Sequence, residues 1–171
     1  MTNQEREHII DMLQSAYSME IESAENFLAA SANLSSTDEM EMVEWLANHV
    51  DKKMEHARAI AGLIHQRGGT VQGSMQLRKN QKGLQPVSGG IEFPKVLNGV
   101  IEAKDAAIAH YKLLGEVAKD SDDEAKQIAK TILSDELKDR DRLSQFIDPT
   151  ASPRRERRSS SLNELPRDRK Y

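Results

Sequence analysis

The sequence predicts an all-α fold: an antiparallel four-helix bundle of two hairpins, with one long crossover between helices two and three. Three observations lead there. Apolar residues recur at the 3/4 spacing of a helix face through most of residues 4–147, and no stretch alternates as a half-buried strand does. Start and stop signals divide that stretch into four long segments. The outer two connections are short, whereas the middle one spans residues 68–93.

Each segment has its own boundary signals. The first is expected from Gln4 to Leu34, with Thr2-x-x-Glu5 as a capping box and no internal Gly or Pro. The second runs from Thr37 to Arg67, opened by Ser36-x-x-Glu39 and stopped by Gly68-Gly69. The third starts at Pro94, a residue suited to a first helical turn, and fades near Asp120. The fourth opens with Ser121-x-x-Glu124 and closes at Asp148-Pro149. The middle link holds six of the nine glycines plus Pro86. A connection that long needs a reason, and running back along a helix of roughly 45 Å supplies one. The alternative is two hairpins on a loose linker.

Composition narrows the function classes. Of 171 residues, 37% are hydrophobic and 30% charged, with no cysteine. That removes disulfides, thiolate zinc sites, iron–sulfur clusters and thiol nucleophiles. No apolar run approaches the length of a membrane span, and the first residues lack a secretory pattern, so a cytoplasmic protein is expected. Residues 1–148, expected as the bundle, carry 17 Lys and Arg against 25 Asp and Glu. Such an acidic body is a poor general nucleic-acid binder. Residues 149–171 carry 7 against 3 and read as a disordered basic tail. The tail is either a solubilising extension or a docking segment for an anionic partner through Arg154, Arg155, Arg157 and Arg158. No phosphate loop or serine-hydrolase elbow is present.

Polar residues interrupt every apolar stripe near mid-helix. Glu20 falls on the line of Leu13, Tyr17, Ala24 and Phe27. His49, Lys53 and His56 occupy the middle of the line from Met42 and Leu46 to Ile60 and Leu63. Asp105 aligns with Leu97, Ile101 and Ile108, with Glu102 to one side, and Glu136 and Asp139 sit between Ile132 and Leu143. In a bundle these would meet at one level. Five carboxylates (Glu20, Glu102, Asp105, Glu136, Asp139) in a dry interior must take up protons, pair with cations or bind metal. Lys53 balances one, and His56 offers a nitrogen ligand. Hard oxygens with an imidazole suit iron or manganese. The plain alternative is a set of solvated carboxylates with the registers misread by one. His8, His65 and His110 lie off these lines and are expected at the surface.

With those residues in place the chain resembles the ferritin-like superfamily, in particular bacterioferritins and the di-iron domain of rubrerythrins. The family pattern is Glu on helix one, Glu-x-x-His on helix two, Glu on helix three and Glu-x-x-His on helix four. Glu20 with Phe27 matches the first element, Lys53-Met54-Glu55-His56-Ala57 the second, Glu102 with Asp105 the third, and Glu136-Leu137-Lys138-Asp139 the fourth. The resemblance implies a ferritin-like bundle with an intra-bundle site for one or two iron ions, ligated by Glu20, His56, Glu102, Asp105, Glu136 and Asp139, and Fe(II) oxidation by O2 as the activity. Two positions depart from it: Lys53 stands where the family has a bridging Glu, and Asp139 where it has a His. An ammonium repels a cation and offers no lone pair. The alternative is therefore a non-catalytic bundle in which Lys53 takes one metal's place, pairing with Glu20 or Glu136, and function lies in oligomerisation or in the tail. Met54 stands where bacterioferritins place a haem-ligating Met, but its plain reading is a core or interface residue, so haem is not expected. The second apolar stripe of helix two, Val43 to Ile64, predicts a homodimer or larger homo-oligomer.

Overall fold

Residues 1–34, 39–86 and 92–147 are described by the computed structural model. The helices are α1 (Asn3–Asn33), α2 (Met40–Gln66), α3 (Phe93–Val117) and α4 (Asp123–Ile147), and no strand occurs among the described residues. They form the four-helix bundle: α1 packs most extensively on α2, α3 on α4, and the hairpins join chiefly through α1 and α3.

Local chemistry sets the ends. At α1 the Thr2 hydroxyl accepts from the Glu5 N–H at 3.2 Å, and the Glu5 carboxylate accepts from the Thr2 N–H at 2.6 Å. The α2 terminus is a Schellman motif: Gly69 N–H reaches the Ile64 carbonyl and Gly68 N–H the His65 carbonyl, each at 2.9 Å. Gly68 adopts φ 77°, where a side chain would be strained. The expected Ser36 cap lies outside the described residues, as does the tail. At α4 the cap is Asp122 rather than Ser121. Asp122 Oδ1 accepts from the Ala125 N–H at 3.0 Å, while the Ser121 hydroxyl turns back to the Val117 carbonyl. Asp122 also receives Arg67 as a two-pronged fork at 2.6 and 2.7 Å, which ties the end of α2 to the start of α4.

The crossover is held along α1 by one residue per turn. Gln14 donates to the Thr70 carbonyl and Ser18 to the Gln72 side chain. Glu22 accepts the N–H groups of Asn80 and Gln81, and Asn26 bonds the Gln81 and Gln85 side chains. Leu84 plugs into the core at its upper end. There Gly83 meets Gly99 of α3 so closely that a Cβ on Gly99 would lie 2.7 Å from the Gly83 backbone.

The core is split in two. One apolar cluster contains Ile9, Leu13, Ile60, Ile64, Tyr111, Leu114 and Ile132. The other contains Phe27, Met42, Leu46, Leu84, Val100 and Leu143. Buried polar and charged side chains occupy the level between them.

Candidate metal centre and its ion network

All four helices contribute to that middle layer. Glu20 comes from α1, Lys53 and His56 from α2, Lys104 and Tyr111 from α3, and Glu136 and Asp139 from α4. The spacings 53/56 and 136/139 put two side chains of one helix on the same face. Glu20 and Glu136 have no exposed surface, and Lys53 and Lys104 are 2% and 1% exposed.

Cations and anions alternate through the layer. Lys53 Nζ sits between Glu20 Oε2 at 3.0 Å and Glu136 Oε1 at 2.7 Å. Lys104 Nζ sits between Glu136 Oε2 at 3.1 Å and Asp139 Oδ2 at 2.7 Å. The other oxygen of Glu20 accepts the Tyr111 hydroxyl at 2.6 Å. Asp139 Oδ1 faces His49 Nε2 at 3.1 Å, and Lys52 closes on the same carboxylate from the rim at 3.3 Å. His49 is fixed by its Nδ1 at the Trp45 carbonyl, 2.6 Å away, and by stacking on the Trp45 ring. His56 Nδ1 lies 3.4 Å from Glu20 and its Nε2 3.5 Å from Asp135. The ammonium of Lys104 also stands over the rings of Trp45 and Phe27, at 5.5 and 5.9 Å from their centroids.

Charge states follow from these neighbours. Burial works against the ionised Glu20, but the Lys53 ammonium outweighs it, helped by His56 and Tyr111, and holds the carboxyl down at about 2. Asp139 is likewise kept below the ordinary range, because His49 and Lys104 overcome its burial. Lys53 loses to burial less than it gains from Glu20 and Glu136, so its pKa is raised. Lys104 moves the other way: burial and the like charge of Lys53 lower it despite Glu136 and Asp139. Tyr111 is pushed well above its usual value by burial and by Glu20, so it remains a hydrogen-bond donor.

Two of the predicted ligands lie elsewhere. Glu102 and Asp105 are exposed on α3. Asp105 pairs with Arg140 at 2.7 Å, and Glu102 lies beside Gly83 of the crossover. The inward line of α3 is Leu97, Val100, Lys104, Ala107, Tyr111 and Leu114, one position from the predicted Leu97–Ile101–Asp105–Ile108 line. Lys104 and Tyr111 are the members of the buried layer that the apolar spacing of the sequence does not single out. His110, expected at the surface, is half-buried with Nε2 at 2.9 Å from the Met12 carbonyl, whereas His8 and His65 are exposed.

A two-iron centre requires lone pairs of carboxylates and imidazoles directed at two cation positions. The places between Glu20 and Glu136 and between Glu136 and Asp139 hold ammonium groups instead. These residues do not fit two metal ions. Glu20, His56 and Glu136 still offer three ligand atoms within 4.8 Å of one another, all three residues being buried. Glu20 Oε2, His56 Nδ1 and Glu136 Oε2 make no well-directed hydrogen bond. That trio suits a single ion once the Lys53 amine between its two carboxylates is displaced.

Comparison with known proteins agrees with the fold. The chain is similar to a ferritin-like di-iron-carboxylate protein from Bacillus anthracis at TM-score 0.76 and 16% identity, covering 86% of this chain and 100% of that one. It is also similar to a dodecameric thioferritin, the bacterioferritin-related protein of Bacteroides fragilis, at TM-score 0.70 and 18% identity over 83% and 85% of the two chains. The Desulfovibrio desulfuricans bacterioferritin, a protein with a di-iron site, gives TM-score 0.72 and 19% identity over 85% and 82%. No curated protein matches by sequence. The family model that matches, over residues 10–151, is the ferritin-like domain, and the chain belongs to that family.

Proposed function

We propose that this chain is a non-oxidising ferritin-like subunit, in which a lysine–carboxylate network stands in the place of a di-iron oxidase centre and the protein works as a building block of a homo-oligomer. The observation that supports this is the alternation of two buried ammoniums with Glu20, Glu136 and Asp139. Three carboxylates and two lysines leave one formal negative charge, which the partial contacts of His49, His56 and Lys52 offset. Nothing in that balance calls for a further divalent ion. The assembly part of the reading has two supports. Val43, Val50, Met54 and Ala61 of α2 are only half-covered in the single chain, and the Bacteroides fragilis relative is described as dodecameric. Among the described residues no helix is long and apolar enough to cross a membrane, and we place the protein in the cytoplasm.

A second reading, one iron ion on Glu20, His56 and Glu136, is favoured by the closeness of these three buried residues and by the one polar atom on each that lacks a well-directed hydrogen bond. Against it stands Lys53, whose proton is held by the same two carboxylates. Titration of the full chain with Fe(II) under argon, followed by admission of air, separates the readings. The network reading expects no tight uptake at the bundle centre and no oxygen consumption above the buffer rate. Uptake of one ion that is lost in His56→Ala would establish the second reading. Uptake near two per chain with fast oxidation would overturn both.

A further inference from the structure

The α2–α4 seam is thinner than the α1–α2, α3–α4 and α1–α3 seams, and a groove of about 480 Å³ is lined by both helices. Its floor is apolar, built from Leu63, Ile128 and Ile132, and one end reaches His56. Gly62 forms part of the α2 wall, in the interior of a helix, where glycine is the least favourable residue after proline. A tight neighbour usually explains such a glycine, as Gly83 explains Gly99. Around Gly62 nothing lies within 4 Å of where a Cβ would stand. The missing side chain therefore serves no contact within the chain; it widens the groove. Arg58, on the same wall, has no ion pair or hydrogen bond among the described residues; Arg6, at the start of α1, is the other described arginine without an ion pair, whereas Arg67, Arg78, Arg140 and Arg142 are all paired.

We infer that this groove binds a single-chain carboxylic acid, with the carboxylate on Arg58 and the alkyl chain laid over Gly62 between α2 and α4. The volume lies in the range of small-ligand sites, and an apolar trench with one placed charge is their usual make-up. From His56 to Gln66 the wall is roughly 15 Å long, which suits an extended chain of about ten to twelve carbons. Charge selects the head group. One free guanidinium balances one negative charge, while Asp135 and Glu124 flank the groove and the body is acidic overall, which disfavours a dianionic phosphate. The groove adjoins the buried layer at His56, while the residues assigned to the ligand here, Arg58, Gly62, Leu63 and Ile128, are not among the charged and hydrogen-bonding groups of that layer.

The test is calorimetric titration of the full chain with dodecanoate below its micelle concentration, with dodecanol and dodecyl phosphate as the other arms. Saturable binding of one dodecanoate per chain is expected. Gly62→Leu should fill the groove and weaken binding by about tenfold or more, while helicity is kept and the melting temperature rises. Thr131→Phe narrows the groove from the α4 side and should act alike, so the result does not hang on one variant. Arg58→Gln should weaken dodecanoate about tenfold and leave dodecanol unchanged. The inference is overturned by the absence of saturable binding, by dodecanoate affinity untouched in both filled variants, or by tighter binding of dodecyl phosphate than of dodecanoate. It is also overturned if Gly62→Leu breaks up the oligomer, which would assign the groove to a second copy of the chain.

Discussion

Lys53 and Lys104 look equivalent in the buried layer, yet their surroundings make them unequal. Lys53 separates Glu20 from Glu136, both fully buried, so Lys53→Ala leaves Glu20 with only His56 and Tyr111 as partners. Breaking a buried pair from one side costs about 3–5 kcal/mol, to be read from urea unfolding at pH 7. Lys53→Glu adds another negative charge and should be worse. Lys104→Met should cost less, about 1–3 kcal/mol, because Asp139 keeps His49 and Lys52 and because burial already works against the Lys104 charge. Equal losses at the two positions would contradict this ordering. The sequence alone pointed to Glu20, Lys53, His56, Glu136 and Asp139, because each interrupts a clean apolar line. Lys104 escaped because two lines cross α3 from Leu97. The line taken passes Asp105 and Ile108 and would end on Lys112 and Gly115; the true one ends on Tyr111 and Leu114. Following both to the end of the helix would have separated them.

At the scale of elements, boundary chemistry was easier to read than function. The Thr2 box and the Gly68-Gly69 stop are where local rules put them, since capping depends on a few adjacent residues. The Asp122 cap was not legible, because Ser121 and Asp122 are both good caps and the choice falls to Arg67, 55 residues away in sequence. Its double role predicts a graded series. Asp122→Asn retains a side-chain oxygen for the Ala125 N–H but loses the charged fork, and should cost about 1 kcal/mol or less given the partly exposed guanidinium. Asp122→Ala loses cap and fork together and should cost about 2 kcal/mol, with faster amide exchange in the first turn of α4. Equal exchange in both variants would show that the cap contributes nothing. The crossover supplies a second case. Gly99→Ala pushes a methyl into the Gly83 backbone and should destabilise by about 1–3 kcal/mol, whereas Gly62→Ala, with open space around it, should stabilise.

For the whole molecule, a charged layer between two apolar clusters makes stability depend on acid more than hydrophobic burial alone would. Glu20 titrates near 4.5 when unfolded and at about 2 in the fold, and Asp139 is shifted in the same direction. The unfolded chain therefore binds protons first as pH falls. The stability these groups contribute is complete above roughly pH 4.5–5 and drains away as pH drops towards 2. Lys53 has the opposite sign: its raised pKa gives stability that is present at neutral pH and lost only in strong alkali. Acid should thus unfold the bundle by dismantling its middle, leaving the two apolar clusters without the ion pairs that join them. The double variant Glu20→Gln, Lys53→Met removes one anion and one cation together and keeps an amide oxygen for the Tyr111 hydroxyl. Because it leaves the net charge of the layer unchanged, its stability at pH 7 should lie within about 2 kcal/mol of the natural chain. Its melting temperature should fall less steeply between pH 5 and 3, because the group that took up the proton is gone. Scanning calorimetry across that range tests the claim. A double variant with the same acid slope as the natural chain would place the acid sensitivity in surface carboxylates rather than in the buried layer.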